Sequence, residues 1–336
     1  MRTMLFTILV AAYAFAQQPA APVADRTFHF TSPMTPQNMQ EAATILRAVA
    51  DIPQLSIDAP DGTITFHGPA DKVALGEWIL GELDRPGGET QLHEYKMGNG
   101  EVARVNFLLP AVATPQGMQE ILTVLRTVAD IQKAFNYTSR LAIVLRAKEP
   151  DTAFAEWIVD QLNQAPQQKP DTTPRQYSVT SSNPRSGNAA RVNFLASVST
   201  ARGMQEILST LRAVAEIQKI FTYSGGHALI LRSDDTGIAR AEWLIQSLDQ
   251  LPGQASPGAH VFTTPNADDV TRVFYISNAT AQGLQTALTA IRTEARTKKA
   301  FSTLEPASTI VVRGTADQVE AAAQVIAAGN GLAMLR

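Results

Sequence analysis

Four arginines, Arg47, Arg126, Arg212 and Arg292, follow one another at intervals of 79, 86 and 80 residues. A second basic row, His67, Arg146, Arg232 and Arg313, runs in step behind them. Guanidinium groups stay charged and donate in a fixed fork, so a row of them suits ion pairing with a protein surface. Asp51, Asp130 and Glu216 stand four residues after the first row, and Arg296 takes that place in the last copy. An i,i+4 pair on a solvent face is the plain explanation. It is worth only about 0.2–0.5 kcal/mol, and less in this basic-before-acidic order. The other explanation is that one row serves module–module or partner contacts. The recurrence favours it, because residues kept only for weak helix pairs would drift.

Little else in the chain could do chemistry. His29, His67, His93, His227 and His260 show no i,i+4 pair, and no H-E-x-x-H is present, so no metal site is expected. Asp234-Asp235 and Asp268-Asp269 are neighbours in turn-like settings. A glycosidase pair needs two carboxylates facing one cleft from separate elements, so these read as capping or solvated residues. There is no G-x-S-x-G elbow, no P-loop and no G-x-G-x-x-G. A KH-type nucleic-acid module would need a Gly-x-x-Gly clamp between adjacent helices, which is missing. No catalytic or cofactor-binding residue is assigned, no cofactor is expected, and the chain reads as a non-enzyme.

The 336 residues carry 28 Lys+Arg against 31 Asp+Glu, a net charge of −3, which argues against gripping nucleic acid or anionic lipid. Zero cysteines exclude disulfides and thiolate metal sites. Residues 1–16 combine Arg2, an apolar run from Met4 to Ala14 and an Ala14-Phe15-Ala16 exit. Those are the parts of a secretory signal cleaved near Ala16, and the run is too short to span a bilayer. The chain is therefore expected in the periplasm or outside the cell, without a transmembrane segment once cleaved. Residues 17–25 read as a flexible leader.

Behind the arginines lies a repeat, which must be sought before any motif. Met39-Gln40-Glu41, Met118-Gln119-Glu120 and Met204-Gln205-Glu206 recur, with Leu284-Gln285-Thr286 a weaker fourth. Thr35, Thr114, Thr200 and Thr280 stand four residues before each anchor, and Pro36 and Pro115 follow the first two. Threonine at the N-cap with proline after it starts a helix, since the hydroxyl accepts from a free N–H and proline needs no donor there. Apolar residues then fall on one helical stripe, as in Ile121, Leu122, Leu125 and Val128. Strand-like runs flank that helix, Thr27–Thr31, Val105–Leu109, Val192–Ala196 and Val273–Ser277 before it and two more after it. A second helix closes each copy.

The fold expected is α+β: a tandem array of four small βαββα modules, each a short sheet with two helices packed on one face. The modules should span 26–86, 91–166, 175–252 and 259–336, the last degenerate and terminal. Trp78, Trp157 and Trp243, each preceded by glutamate, share one slot of the second helix. We expect a core residue clamping helix to sheet in a module small enough to be marginal, and not an aromatic ligand platform. The fourth copy has Gln324 in that slot.

A module that caps its helix with Ala-Thr-Pro-Gln or Thr-Ala-Gln-Gly and closes on Glu-Trp…Leu-Asp resembles the short periplasmic repeat domains of bacterial secretins. The residues bearing the likeness are Thr63–Gly68 with Glu77-Trp78…Leu83-Asp84-Arg85-Pro86, Ala228–Arg232 with Glu242-Trp243…Leu248-Asp249, and Thr309–Gly314 with Thr315-Ala316-Asp317. The second copy departs at Ala147-Lys148-Glu149-Pro150, where the entry to helix 2 differs. The likeness covers most of 26–330 and contains no channel-forming domain. It implies modules that stack into rings and meet protein partners in the cell envelope. The reading is an exported, non-enzymatic assembly or adaptor protein acting by protein contacts or self-association. The alternative is a binding module for peptidoglycan or another envelope polysaccharide.

Overall fold

A computed structural model describes residues 22–85, 93–164, 171–180, 187–250, 260–265, 267–277, 279–328 and 333–334. The signal-like segment and residues 17–21 lie outside the described residues. Among those described, the chain is α+β, with four small antiparallel sheets and eight helices.

The first unit runs β1 (Val23–His29), α1 (Pro36–Ala48), β2 (Gln54–Asp58), β3 (Thr63–Pro69) and α2 (Ala70–Asp84), with strand order β1-β3-β2. The second comprises β4 (His93–Lys96), β5 (Glu101–Phe107), α3 (Pro115–Thr127), β6 (Lys133–Tyr137), β7 (Ala142–Lys148) and α4 (Glu149–Leu162). In the third are β8 (Arg175–Ser178), β9 (Ala189–Phe194), α5 (Ala201–Ala213), β10 (Lys219–Tyr223), β11 (Ala228–Ser233) and α6 (Asp235–Leu248). The fourth holds β12 (His260–Thr263), β13 (Val270–Ser277), α7 (Ala281–Glu294), β14 (Ala300–Thr303), β15 (Thr309–Gly314) and α8 (Ala316–Ala328). The short β16 (Ala333–Met334) pairs with β13. In units two to four a lead-in strand, β4, β8 or β12, forms one edge of the sheet.

Local chemistry explains the boundaries. Thr35, Thr114, Thr200 and Thr280 each accept from the N–H three residues on, at 3.0–3.2 Å, and so fix the four helix starts. Asp234 does the same for α6, accepting from Gly237 N at 2.7 Å. Helix α4 begins at Glu149 with Pro150 in its first turn, a place where proline needs no donor. In the first and third units the aspartate at the end of the second helix reaches back to the loop that follows the first strand: Asp84 accepts from Thr31 N and Oγ1 at 2.8 Å, and Asp249 from the N–H groups of Ala196, Ser197 and Val198 at 2.7–2.9 Å. That is the reason for the recurring Leu-Asp ending.

The first strands begin three or four residues earlier than the sequence suggested. In the first three units the third strand continues past the expected run and supplies ladder partners, as Glu101↔Lys148 and Val23↔Pro69 show. Residues 23–25, read from sequence as part of a flexible leader, are therefore strand β1. Proline at 22 has no N–H to extend it.

The sheets of units two to four bury both faces, and the first sheet buries one. Each sheet's own helices cover one face, and in units two to four the first helix of the preceding unit covers the other. The core around Met39, Leu46, Phe66 and Ile79 continues without a break into Val105, Tyr137 and Val144 of the second unit. The same happens from Ile121 and Phe154 into Val192 and Ile230, and from Ile207 and Leu244 into Val273 and Val311. No small unit has to bury enough surface alone.

Candidate functional site: the junctions between units

The first arginine row does not reach across units. Arg126, Arg212 and Arg292 each donate from Nη2 to a backbone carbonyl of their own second strand, Ala134, Ile220 and Ala300, at 2.7, 2.9 and 3.0 Å. They clip the end of the first helix to the strand that follows it. Arg47 is exposed. The expected i,i+4 pairing is absent too, because each first helix has ended before the acidic residue arrives. Asp51, Asp130 and Glu216 sit in the left-handed region, with φ of 57°, 63° and 60°, and turn toward the next unit.

The second row meets them there. Asp51 accepts from Lys133 Nζ at 2.6 Å and from Arg146 Nη2, both of the second unit, and from Lys72 Nζ of its own unit at 3.0 Å. Lys133 and Arg146 are register partners on β6 and β7, so the sheet presents two cations side by side. At the second junction Lys219 donates to Asp130, with Arg232 Nη1 3.7 Å from the same carboxylate. At the third, Lys299 and Arg313 donate to Glu216 at 2.9 and 3.0 Å. The side chains of Arg146 and Arg232 are wholly buried. Arg232 also lies over the Phe154 ring of the preceding unit.

Electrostatics follow the geometry. Burial pushes the Asp51 carboxyl up, but hydrogen bonds from Lys133, Arg146 and Lys72 more than offset it and hold it far below the usual range. The Lys299 ammonium holds Glu216 low, against burial. Burial pulls the Arg232 guanidinium down, with Asp130 and Asp151 opposing.

A second carboxylate works at every junction, and sequence reasoning did not assign it. Glu41, of the Met-Gln-Glu anchor, accepts from Thr138 N and Oγ1 at 2.7–2.8 Å, where β6 of the next unit turns. Glu120 takes Ser224 N and Oγ at 2.7–2.8 Å, and Glu206 takes Leu304 N and Glu305 N at 2.6 and 3.1 Å. The signal was in the anchor: glutamate recurs in the three copies that a further unit follows, and Thr286 stands in the fourth.

The tryptophans, expected as core residues, pack at the edge of each core and reach the junctions. Trp78, Trp157 and Trp243 are half-buried and pack on Tyr95, Tyr177 and Phe262 of the next unit's lead-in strand, with ring centroids 5.5, 5.1 and 5.7 Å apart. The centre of each core is taken by the following residue, Ile79, Ile158 or Leu244, all fully buried. The indole flanks the helix face that meets its own sheet and so reaches the neighbour. Gln324, in the same slot of the last unit, is exposed.

The remaining titratable groups are dispersed. Asp268 accepts from Ala316 N at 3.0 Å, while Asp269 accepts from Arg240 and Arg313. His93 Nδ1 lies 2.5 Å from Glu82, and His67 contacts Asp25. Among the described residues no group of three or more His, Asp or Glu could hold a metal ion, and no helix is long and apolar enough to cross a membrane. A groove of about 270 Å³ opens at the first junction, lined by Ser32, Asn38, Asp84, Tyr137 and Arg140 among others.

No family model matches the chain, and no curated protein matches it. Among solved structures it is similar to Aeromonas hydrophila ExeD, at 14% identity over 88% of this chain and 60% of that one, with a TM-score of 0.17. It is also similar to the aspartate kinase from Synechocystis, at 14% identity over 92% of this chain and 54% of that one, again with a TM-score of 0.17. The chain thus spans less than two thirds of either protein.

Proposed function

We propose that the chain is an exported, non-enzymatic assembly or adaptor protein of the cell envelope, built of four secretin-type modules. The observation that carries this reading is the junction chemistry, repeated three times. A carboxylate meets two cations, a glutamate caps the next turn, and an indole meets the next aromatic ring. These features spend the chain's recurring polar and aromatic residues on holding four units as one scaffold. The secretin-like motifs and the signal-like N-terminus support an envelope setting. The scaffold would offer the sides of the stack, helix flanks and open strand edges, to protein partners.

Light scattering with and without salt, on the chain alone and after mixing with solubilised envelope fractions, tests the proposal. Discrete, salt-sensitive complexes of defined mass are expected. A chain that forms none and pellets with cell-wall sacculi would overturn it in favour of polysaccharide binding. The polar groove at the first junction favours that second reading.

A further inference from the structure

We infer that the stack is closed at both ends: the faces that would join a second copy head to tail are built to refuse it. This goes beyond the adaptor reading and does not rest on it.

Each sheet after the first receives the preceding unit on a fixed set of positions. In the second unit these include Val105, Val144, Phe135 and Tyr137, with Lys133 and Arg146 as the cations. Strand register maps them onto the first sheet without ambiguity, since Thr27↔Thr65 and Asp25↔His67 mirror Val105↔Val144 and Ala103↔Arg146. The first sheet there carries Thr27, Thr65, Ser56 and Asp58, with Gln54 and His67 in place of the cations. All six are exposed. An apolar receiving face with two positive groups has become a polar one without lysine or arginine.

The outgoing face of the fourth unit is altered at the matching places. Where the first three units have glutamate to cap the next turn, it has Thr286, too short to reach. Buried Val49, Val128 and Val214 are replaced by Glu294, the junction acid by Arg296, and the tryptophan by Gln324. All four of these replacements are exposed. Arg296 keeps the left-handed backbone of its counterparts, with φ of 54°, so the position is retained while its charge is reversed. Burying these groups against another copy would desolvate them with no apolar contact in return. A repeat array needs polar outer faces on its terminal units to avoid open-ended growth.

The absence of cysteine allows a direct test in the full chain. Gln54→Cys with Arg296→Cys places thiols on the two end faces. Asp51→Cys with Lys133→Cys places them across an internal junction. With a short bismaleimide at high protein concentration, the internal pair should close within one chain and the end pair should give no ladder of multimers. A ladder from the end pair would overturn the inference. As a second arm, Thr286→Glu/Glu294→Val/Arg296→Asp is mixed with Gln54→Lys/Ser56→Phe/Thr65→Val/His67→Arg. Sedimentation should show a doubled mass that neither variant gives alone. Two folded variants, by circular dichroism, that ignore each other would refute the assignment of these positions. Should either variant fail to fold, the crosslinking arm still decides.

Discussion

Arg146, its side chain wholly buried in the second sheet, donates to the carboxylate of Asp51, which the preceding unit presents from a left-handed backbone position. Neither residue lies on an i,i+4 helix face with the other's row. Their pairing is made across the junction, and it recurs with Arg232 and Arg313. Asp51→Asn should therefore leave the buried guanidinium with Glu101, 3.5 Å away, as its remaining counter-charge. The cost should be about 1–2 kcal/mol, below the roughly 3–5 of a fully enclosed pair, because Asp51 keeps a water-facing side. The native carboxyl is held below its usual 3.8, so its contribution is present above that pH and is lost as pH falls beneath it. Amide exchange of β6 between pH 7 and pH 2 should show the wild-type junction loosening in acid and a flatter profile in the variant. Equal profiles would remove the linkage.

The anchor glutamates give a paired prediction. Glu120→Ala strips the acceptor from Ser224 N and Oγ and should cost about 1–2 kcal/mol, read as faster exchange at Ser224 and earlier proteolysis between the second and third units. Thr286→Ala, at the same slot of the last unit, should change stability by less than about 0.5 kcal/mol. Comparable losses at both sites would mean that the glutamate acts within its own helix and not across the junction.

Trp157 and Tyr177 should be coupled. A double-mutant cycle with Trp157→Ala and Tyr177→Ala is expected to give a coupling of about 0.5–1.5 kcal/mol beyond area burial. Trp157→Ala alone should fall short of the roughly 3–5 kcal/mol of a fully buried indole, because the ring is only half enclosed. A coupling near zero would return the residue to its own unit.

Helix starts, helix phase and the succession of elements along the chain were legible because threonine caps and apolar periodicity act within a few residues. The junctions were not. Asp51 and Arg146 are 95 positions apart, and nothing local distinguishes a carboxylate aimed at the next unit from one aimed at solvent. The one available signal was the differing copy: Thr286, Arg296 and Gln324 depart from their counterparts together, and all are positions that a following unit would touch. The tryptophans misled for a related reason. An indole in a short module reads as core by size alone, while its partner, Tyr95, Tyr177 or Phe262, lies in a strand beyond a Gly/Pro-rich linker.

Alkali should open the later junctions. Burial pushes the Tyr223 hydroxyl up to about 12, with the Glu120 charge adding to it. Burial does the same for Tyr275, also to about 12, against the opposing hydrogen bonding with Ser247. Tyr275 donates to the Ser247 carbonyl of α6 at 2.7 Å, so this group ties the third unit to the fourth. Both values lie above the ordinary 10, so the folded state holds these protons more tightly. The stability they carry is present in full below pH 10 and is lost as pH rises toward 12. Phenolate absorbance against pH should show Tyr223 and Tyr275 among the tyrosines that titrate late, with burial pushing Tyr137 and Tyr177 up as well, together with loss of tertiary circular dichroism. Tyr275→Phe should remove one late titration and cost about 1 kcal/mol at neutral pH from the lost hydrogen bond. It should then lose less stability than the wild type between pH 10 and 12. If every tyrosine ionised near pH 10 with the tertiary signal intact, neither hydroxyl would be buried at a junction.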